Sequence, residues 1–161
     1  MTRSIAPCAE CRVVLDSNVW IDILVFDDPA ARPIRAALES GAIVALIDDR
    51  CRRELERVLD YPQFQTRALD KAAALATLAR LARHVDPPPA NGTAASLPKC
   101  KDRDDQKFLE LAHAAHAAWL VSKDRALLKL ARRTARDFGF RIAQPAPFAD
   151  AACAPAAAPA T

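Results

Sequence analysis

Three short apolar runs constrain this chain most: Val13-Val14-Leu15, Ala42-Ile43-Val44-Ala45-Leu46-Ile47 and Ala118-Trp119-Leu120-Val121. They have strand length and are too short for buried helices. They are apolar throughout rather than alternating, so both faces of each strand must be covered. Helical spacing fills the stretches between them. Residues 30–40 carry Ile34, Ala37 and Leu38 on one face and stop at Gly41, a residue suited to closing a helix. Further helices are expected over 49–60, over 68–84 with Leu75, Leu78, Ala79 and Ala82 on one face, over 104–118 and from Asp124 onward. Trp20, Ile23 and Leu24 follow Asn18 at helical spacing and are expected in the core, and Arg141-Ile142 is a short last strand. This alternation predicts an α/β protein with a parallel sheet between helical layers.

Composition excludes several other classes. The chain has 161 residues, enough for one core and too few for two. Hydrophobic residues make up 52%, but 36 residues are alanine and aromatics reach only 6%, so much of that surface is thin. Three glycines argue against a hairpin-rich sandwich or barrel. No uncharged apolar run approaches the length of a membrane span, and Met1-Thr2-Arg3-Ser4 leads into no apolar signal segment, so a cytoplasmic protein is expected. The net charge of +3 is too small for a protein that coats nucleic acid by bulk charge. Five cysteines argue against a disulfide framework; Cys8-x-x-Cys11 lacks a partner pair, since Cys51, Cys100 and His84 have no ligand spacing of their own. Residues 1–11 are expected to be a flexible extension, 12–148 the folded domain and 149–161 a disordered Ala/Pro tail, with the proline-rich stretch 87–98 a connector inside the domain.

The acids fall at telling places on these elements. Asp16 follows Leu15 and Asp124 lies just past Val121, both at the carboxyl ends of strands, where open α/β sheets bind ligands. Glu54 lies on the edge of the apolar stripe Cys51, Leu55 and Val58, a costly place for an unaccompanied acid. Asp105 tops the stripe of Phe108 and Ala112, flanked by Asp102 and Asp104. Each acid alone also reads as a helix cap or turn residue. Together they would converge at one end of the sheet and repel, unless a hard divalent cation such as Mg²⁺ or Mn²⁺ joined them to a substrate phosphate. Lys99, Lys101, Arg103, Lys107, Lys123 and Arg125 stand beside them and suit such a substrate, or else form a solvated surface that offsets the acids.

The motifs carrying these acids resemble those of the PIN-domain ribonucleases. Val14-Leu15-Asp16-Ser17-Asn18-Val19 is similar to the family's opening strand and acid. Arg53-Glu54-Leu55 with Val58-Leu59 resembles the second motif, Asp102 through Ala112 the third, and Leu120-Val121-Ser122-Lys123-Asp124 the fourth. Pro145 through Phe148 resembles the closing segment, so the likeness spans about residues 12–148. The long third motif suggests the subgroup of toxins from type II toxin–antitoxin pairs. The resemblance implies a three-layer α/β/α fold, Mg²⁺ or Mn²⁺ as cofactor and hydrolysis of RNA phosphodiester bonds. Carried over by position, Asp16, Glu54, Asp105 and Asp124 are the catalytic and metal-holding acids, with Asp102 a fifth candidate. Asn18, Ser122, Lys123, Lys101 and Arg103 are the candidate substrate contacts. Ser17 stands where the family usually has threonine and keeps the hydroxyl, whereas Lys123 replaces the usual glycine and brings a cation beside the last acid. An antitoxin docking near the acids is implied as a partner, and a homodimer is left open.

Two other readings compete. A phosphatase with Asp16 as nucleophile would want a second acid two residues on, where Asn18 stands. An inert PIN-fold module binding RNA or protein would be expected to have lost one of the four acids, and all are present. His113 and His116 lie in an Ala-rich stretch without a third ligand and read as helix-surface or interface residues.

Overall fold

The computed structural model describes residues 10–65, 70–86 and 97–153. Five parallel strands form one sheet: β1 (Arg12–Leu15), β2 (Val44–Ile47), β3 (Ala82–His84), β4 (Trp119–Val121) and β5 (Arg141–Ala143), in the order β3-β2-β1-β4-β5. The register pairs Val13 with Ala45 on one side and with Trp119 on the other. Val13, Val14 and Leu15 are all buried although their side chains alternate between faces, so the central strand is covered on both sides. The expected α/β class is the one observed.

The helices are α1 (Ser17–Ile21), α2 (Arg32–Ser40), α3 (Asp49–Val58), α4 (Pro62–Gln65), α5 (Lys71–Leu81), α6 (Gln106–Ala114), α7 (Arg125–Leu128), α8 (Ala131–Asp137) and α9 (Pro145–Ala152). α1 runs directly into a π-helical turn, Asp22–Phe26. α3 packs on α6 and α2 on α9, while α6 also lies against β1 and β4. Gly41 closes α2 at φ 85° as expected. Trp20 and Ile23 are core residues, and Leu24 is half-buried against them. Burying side chains of this size contributes roughly 1.5–3 kcal/mol each, and Trp20, Phe108, Phe140 and Phe148 anchor the core despite the low aromatic content.

Several boundaries differ from expectation. The helix expected over 68–84 stops at Leu81, and Ala82–His84 becomes the edge strand β3. Ala82 is already extended, so the chain passes from helix to strand without a loop. The helix expected to reach residue 118 ends at Ala114 because His116 adopts a left-handed φ of 57°. There the Ala117 amide bonds the Ala112 carbonyl and the His116 amide bonds that of His113, a Schellman closure. His113 meets Phe138 edge to face. At the C-terminus, α9 runs through Ala152, with Ala149 buried. Cys8, most of the stretch 87–98 and the tail from residue 154 lie outside the described residues. Among the described residues no helix is long and apolar enough to cross a membrane.

Candidate active site

The chain leaves β1 in one direction to lay down β2 and β3, then in the other for β4 and β5. Strand order therefore reverses between β1 and β4, and the diverging connections open a crevice at their carboxyl ends. Both strands deliver an acid there. The Asp16 amide still belongs to the sheet, donating to the Val121 carbonyl at 3.1 Å. Its side chain then caps α1, with Oδ1 accepting from the Val19 amide at 3.0 Å. Asp124 caps α7 in the same way, Oδ1 accepting from the Ala126 amide at 2.8 Å. Capping and placement in the crevice are thus two uses of one residue.

Ser122 ties the two acids together. It is fully buried; its hydroxyl donates to Asp16 Oδ2 and accepts from the Asp124 amide at 2.9 Å. Expected as a substrate contact, it stands behind the acids instead and fixes their spacing. Asp16 is itself almost fully buried, and that burial raises its pKa against the lowering effect of the Ser122 and Val19 hydrogen bonds.

Asp102, Asp105 and Asp124 form the tightest group, each offering a carboxylate oxygen within 4.8 Å of the others. Asp102, exposed at the rim, caps the 3₁₀ turn Arg103–Asp105 through the Asp104 amide at 2.9 Å. Asp105 caps nothing, and its Oδ2 is buried without a hydrogen-bond partner. Burial, then the hydrogen bond and charge of Asp124, then the charges of Asp102 and Asp16, push Asp105 up to about 8. Asp124, supported by Asp105 and by the Ala126 amide, is held below the usual carboxylate range. Among the described residues no ion pair involves these three acids.

Glu54 stands differently. Its Oε2 accepts from the Ser17 hydroxyl at 2.5 Å and its Oε1 from Lys107 Nζ at 2.5 Å. The tight group of three acids does not include it. Lys123, half exposed, pairs with Asp22 at 2.5 Å, so this cation is already engaged by a buried acid that opens the π-helical turn. Asn18 is exposed beside Asp16. Lys99, Lys101 and Arg103 line a groove with Cys100 and Gln106, next in sequence to Asp102 and Asp105. Gln106 fixes this loop by accepting from the Cys100 amide at 2.7 Å and donating to the Pro98 carbonyl at 3.2 Å.

Sequence reasoning missed three partners here: Asp22, the Lys107 contact to Glu54, and Asp48. Asp48 is fully buried at the end of β2, caps α3 through the Cys51 amide, and binds Arg50, which reaches on to Glu110 at 2.6 Å. Its signal was available, because Asp48 follows Ile47 as Asp16 follows Leu15.

The uncompensated group fits a hard divalent cation. It offers oxygen donors only, one of them buried and unpartnered, and Mg²⁺ or Mn²⁺ needs few protein carboxylates when water and phosphate complete the shell. His84 is engaged by Asp49 at 2.6 Å, and among the described residues no cysteine or histidine joins the acids.

Known proteins agree with this arrangement at the level of fold. The chain is similar to one chain in the crystal structure of VapBC2 from Rickettsia felis bound to a DNA fragment from their promoter, with a TM-score of 0.53 at 12% identity, covering 83% of this chain and 98% of that one. No curated protein matches the sequence. The sequence profile of the PIN domain matches residues 12–126, a span that holds β1 through β4 and all five acids of the crevice. With most of its length matched, the chain belongs to the PIN-domain family.

Proposed function

We propose that this protein is a Mg²⁺- or Mn²⁺-dependent endoribonuclease and the toxin component of a toxin–antitoxin pair. One observation carries the reading: three carboxylates within 4.8 Å at the switch point, with a buried, unpartnered oxygen on Asp105 and, among the described residues, no ion pair to any of the three. A divalent cation held by Asp102, Asp105 and Asp124 would lower the pKa of a bound water and offset charge in the in-line displacement at phosphorus. The chain's own residues do the rest. Ser122 holds Asp16 and Asp124 in register, and Asp16 adds a further carboxylate behind them. The groove of Lys99, Lys101 and Arg103 binds phosphates of the substrate strand, and Asn18 stands exposed at the mouth. Single-stranded or looped RNA suits such a rim, because its bases and backbone can be splayed into a crevice.

The toxin reading is supported by family membership and by the similarity to a chain of a VapBC complex; a partner protein would cover the acid crevice. The test is cleavage of a single-stranded RNA by the purified chain with Mn²⁺, with EDTA, and in Asp105→Asn. Activity should appear only with the metal and fall roughly 10³-fold in the variant, the scale of losing a group that acts directly in the reaction. Undiminished cleavage by Asp105→Asn would overturn the assignment.

A further inference from the structure

Lys107 and Glu54 make a pair unlike a surface ion pair. Their side chains are only 15% and 16% exposed, and both ends are held. Lys107 Nζ donates to Glu54 and to the Asp104 carbonyl, and it lies 4.9 Å from the centre of the Phe108 ring. Both Glu54 oxygens are taken, one by the lysine and one by Ser17, the residue next to Asp16. Most exposed pairs fluctuate against solvent; one anchored at both ends and mostly buried persists. The pair spans α3 and the first turn of α6, the helix that directly follows Asp105.

The carboxylates at this end of the sheet are neutralised unevenly. Glu54 has a cation built into the protein, whereas among the described residues Asp102, Asp105 and Asp124 have no ion pair. We infer that Lys107 is a positioning residue that acts as a fixed internal cation for Glu54, so that the crevice binds a single divalent ion at Asp102, Asp105 and Asp124 and Glu54 is not among its ligands. Lysine suits this role because its ammonium is a compact charge with three donors, enough for a carboxylate and a carbonyl together. Glu54 is thereby left to orient Ser17, and with it the start of α1 beside Asp16. The inference rests on the proposed metal-dependent reading of the site.

Calorimetric titration of the EDTA-stripped full chain with Mn²⁺ tests it. The wild type should bind one ion per chain. Asp105→Asn should weaken that ion by roughly tenfold or more, while Glu54→Gln should change it by less than about threefold, since only the former removes a direct ligand. Lys107→Met should uncover Glu54 and add a second, weaker ion, and Lys107→Arg should restore the stoichiometry of one. These readouts separate a charge role from a merely structural one. Two ions on the wild type, or equal weakening by Glu54→Gln and Asp105→Asn, would overturn the inference while leaving the nuclease reading in place. No ion on the wild type would overturn both. If Lys107→Met does not fold, the contrast between Glu54→Gln and Asp105→Asn decides alone.

Discussion

Two groups of acids share the carboxyl edge of this sheet, and they are managed in opposite ways. Asp22, Asp48 and Glu54 each have a basic partner, namely Lys123, Arg50 and Lys107. Among the described residues Asp102, Asp105 and Asp124 have none, although they are packed within reach of one another. Charges of like sign at such spacing cost free energy unless a proton or a cation intervenes. The paired acids therefore read as architecture, and the unpaired ones as a place kept for something the protein does not supply itself.

Removing a member of the unpaired group should have the largest effect on chemistry and the least on folding. Asp124→Asn should reduce metal-dependent RNA cleavage by roughly 10³-fold, while its melting temperature in EDTA should fall only slightly, since the amide retains the cap to Ala126. A large loss of stability would break the distinction between the groups. Disturbing the paired group should do the reverse. Arg50→Met leaves Asp48 buried without its ion-pair partner and should destabilise the fold by about 2 kcal/mol, read by urea denaturation, with any active chains cleaving normally.

A smaller effect is expected from pH. Asp105 holds its proton more tightly folded than unfolded, so its contribution to stability is full below the ordinary 3.8 and is lost as pH rises through about 8. Asp124 is shifted the other way; its contribution is present above 3.8 and is lost only as pH falls below that value. Across pH 5 to 8 the Asp105 contribution dominates for this pair, so the melting temperature in EDTA should decline, and Mn²⁺ should remove or reverse the slope. The Asp105→Asn variant should lack the decline, which a wild-type slope from other groups would not predict. The smallest effect belongs to an exposed pair: Arg52→Ala breaks an i,i+4 contact with Glu56 and should shift stability by at most about 0.5 kcal/mol.

Much of this was legible in the sequence, for reasons that separate readable from unreadable features. β1, β2 and β4 are apolar on both faces because they are covered on both faces, and that composition marks them directly. β3 is an edge strand of Ala82-Arg83-His84, with two of its three residues exposed, and it continues a helix whose apolar spacing runs on into Ala82. Nothing local distinguishes it. Asp16 and Asp124 were visible because a strand end fixes where they point. The Glu54–Lys107 and Asp22–Lys123 pairs join residues 53 and 101 positions apart, and only the packing of separate elements brings them together. Lys123 illustrates the cost of reading a residue by its neighbour in sequence. It adjoins Asp124 but bonds Asp22.

The hydrogen bond from Ser122 to Asp16 closes a loop of 106 residues. Asp16 and Glu54 are therefore made well before β4, which pairs with the strand that carries Asp16, and well before Asp105 and Asp124. A growing chain carries Asp16 and Glu54 without the crevice, which cannot assemble until residue 124 has been added.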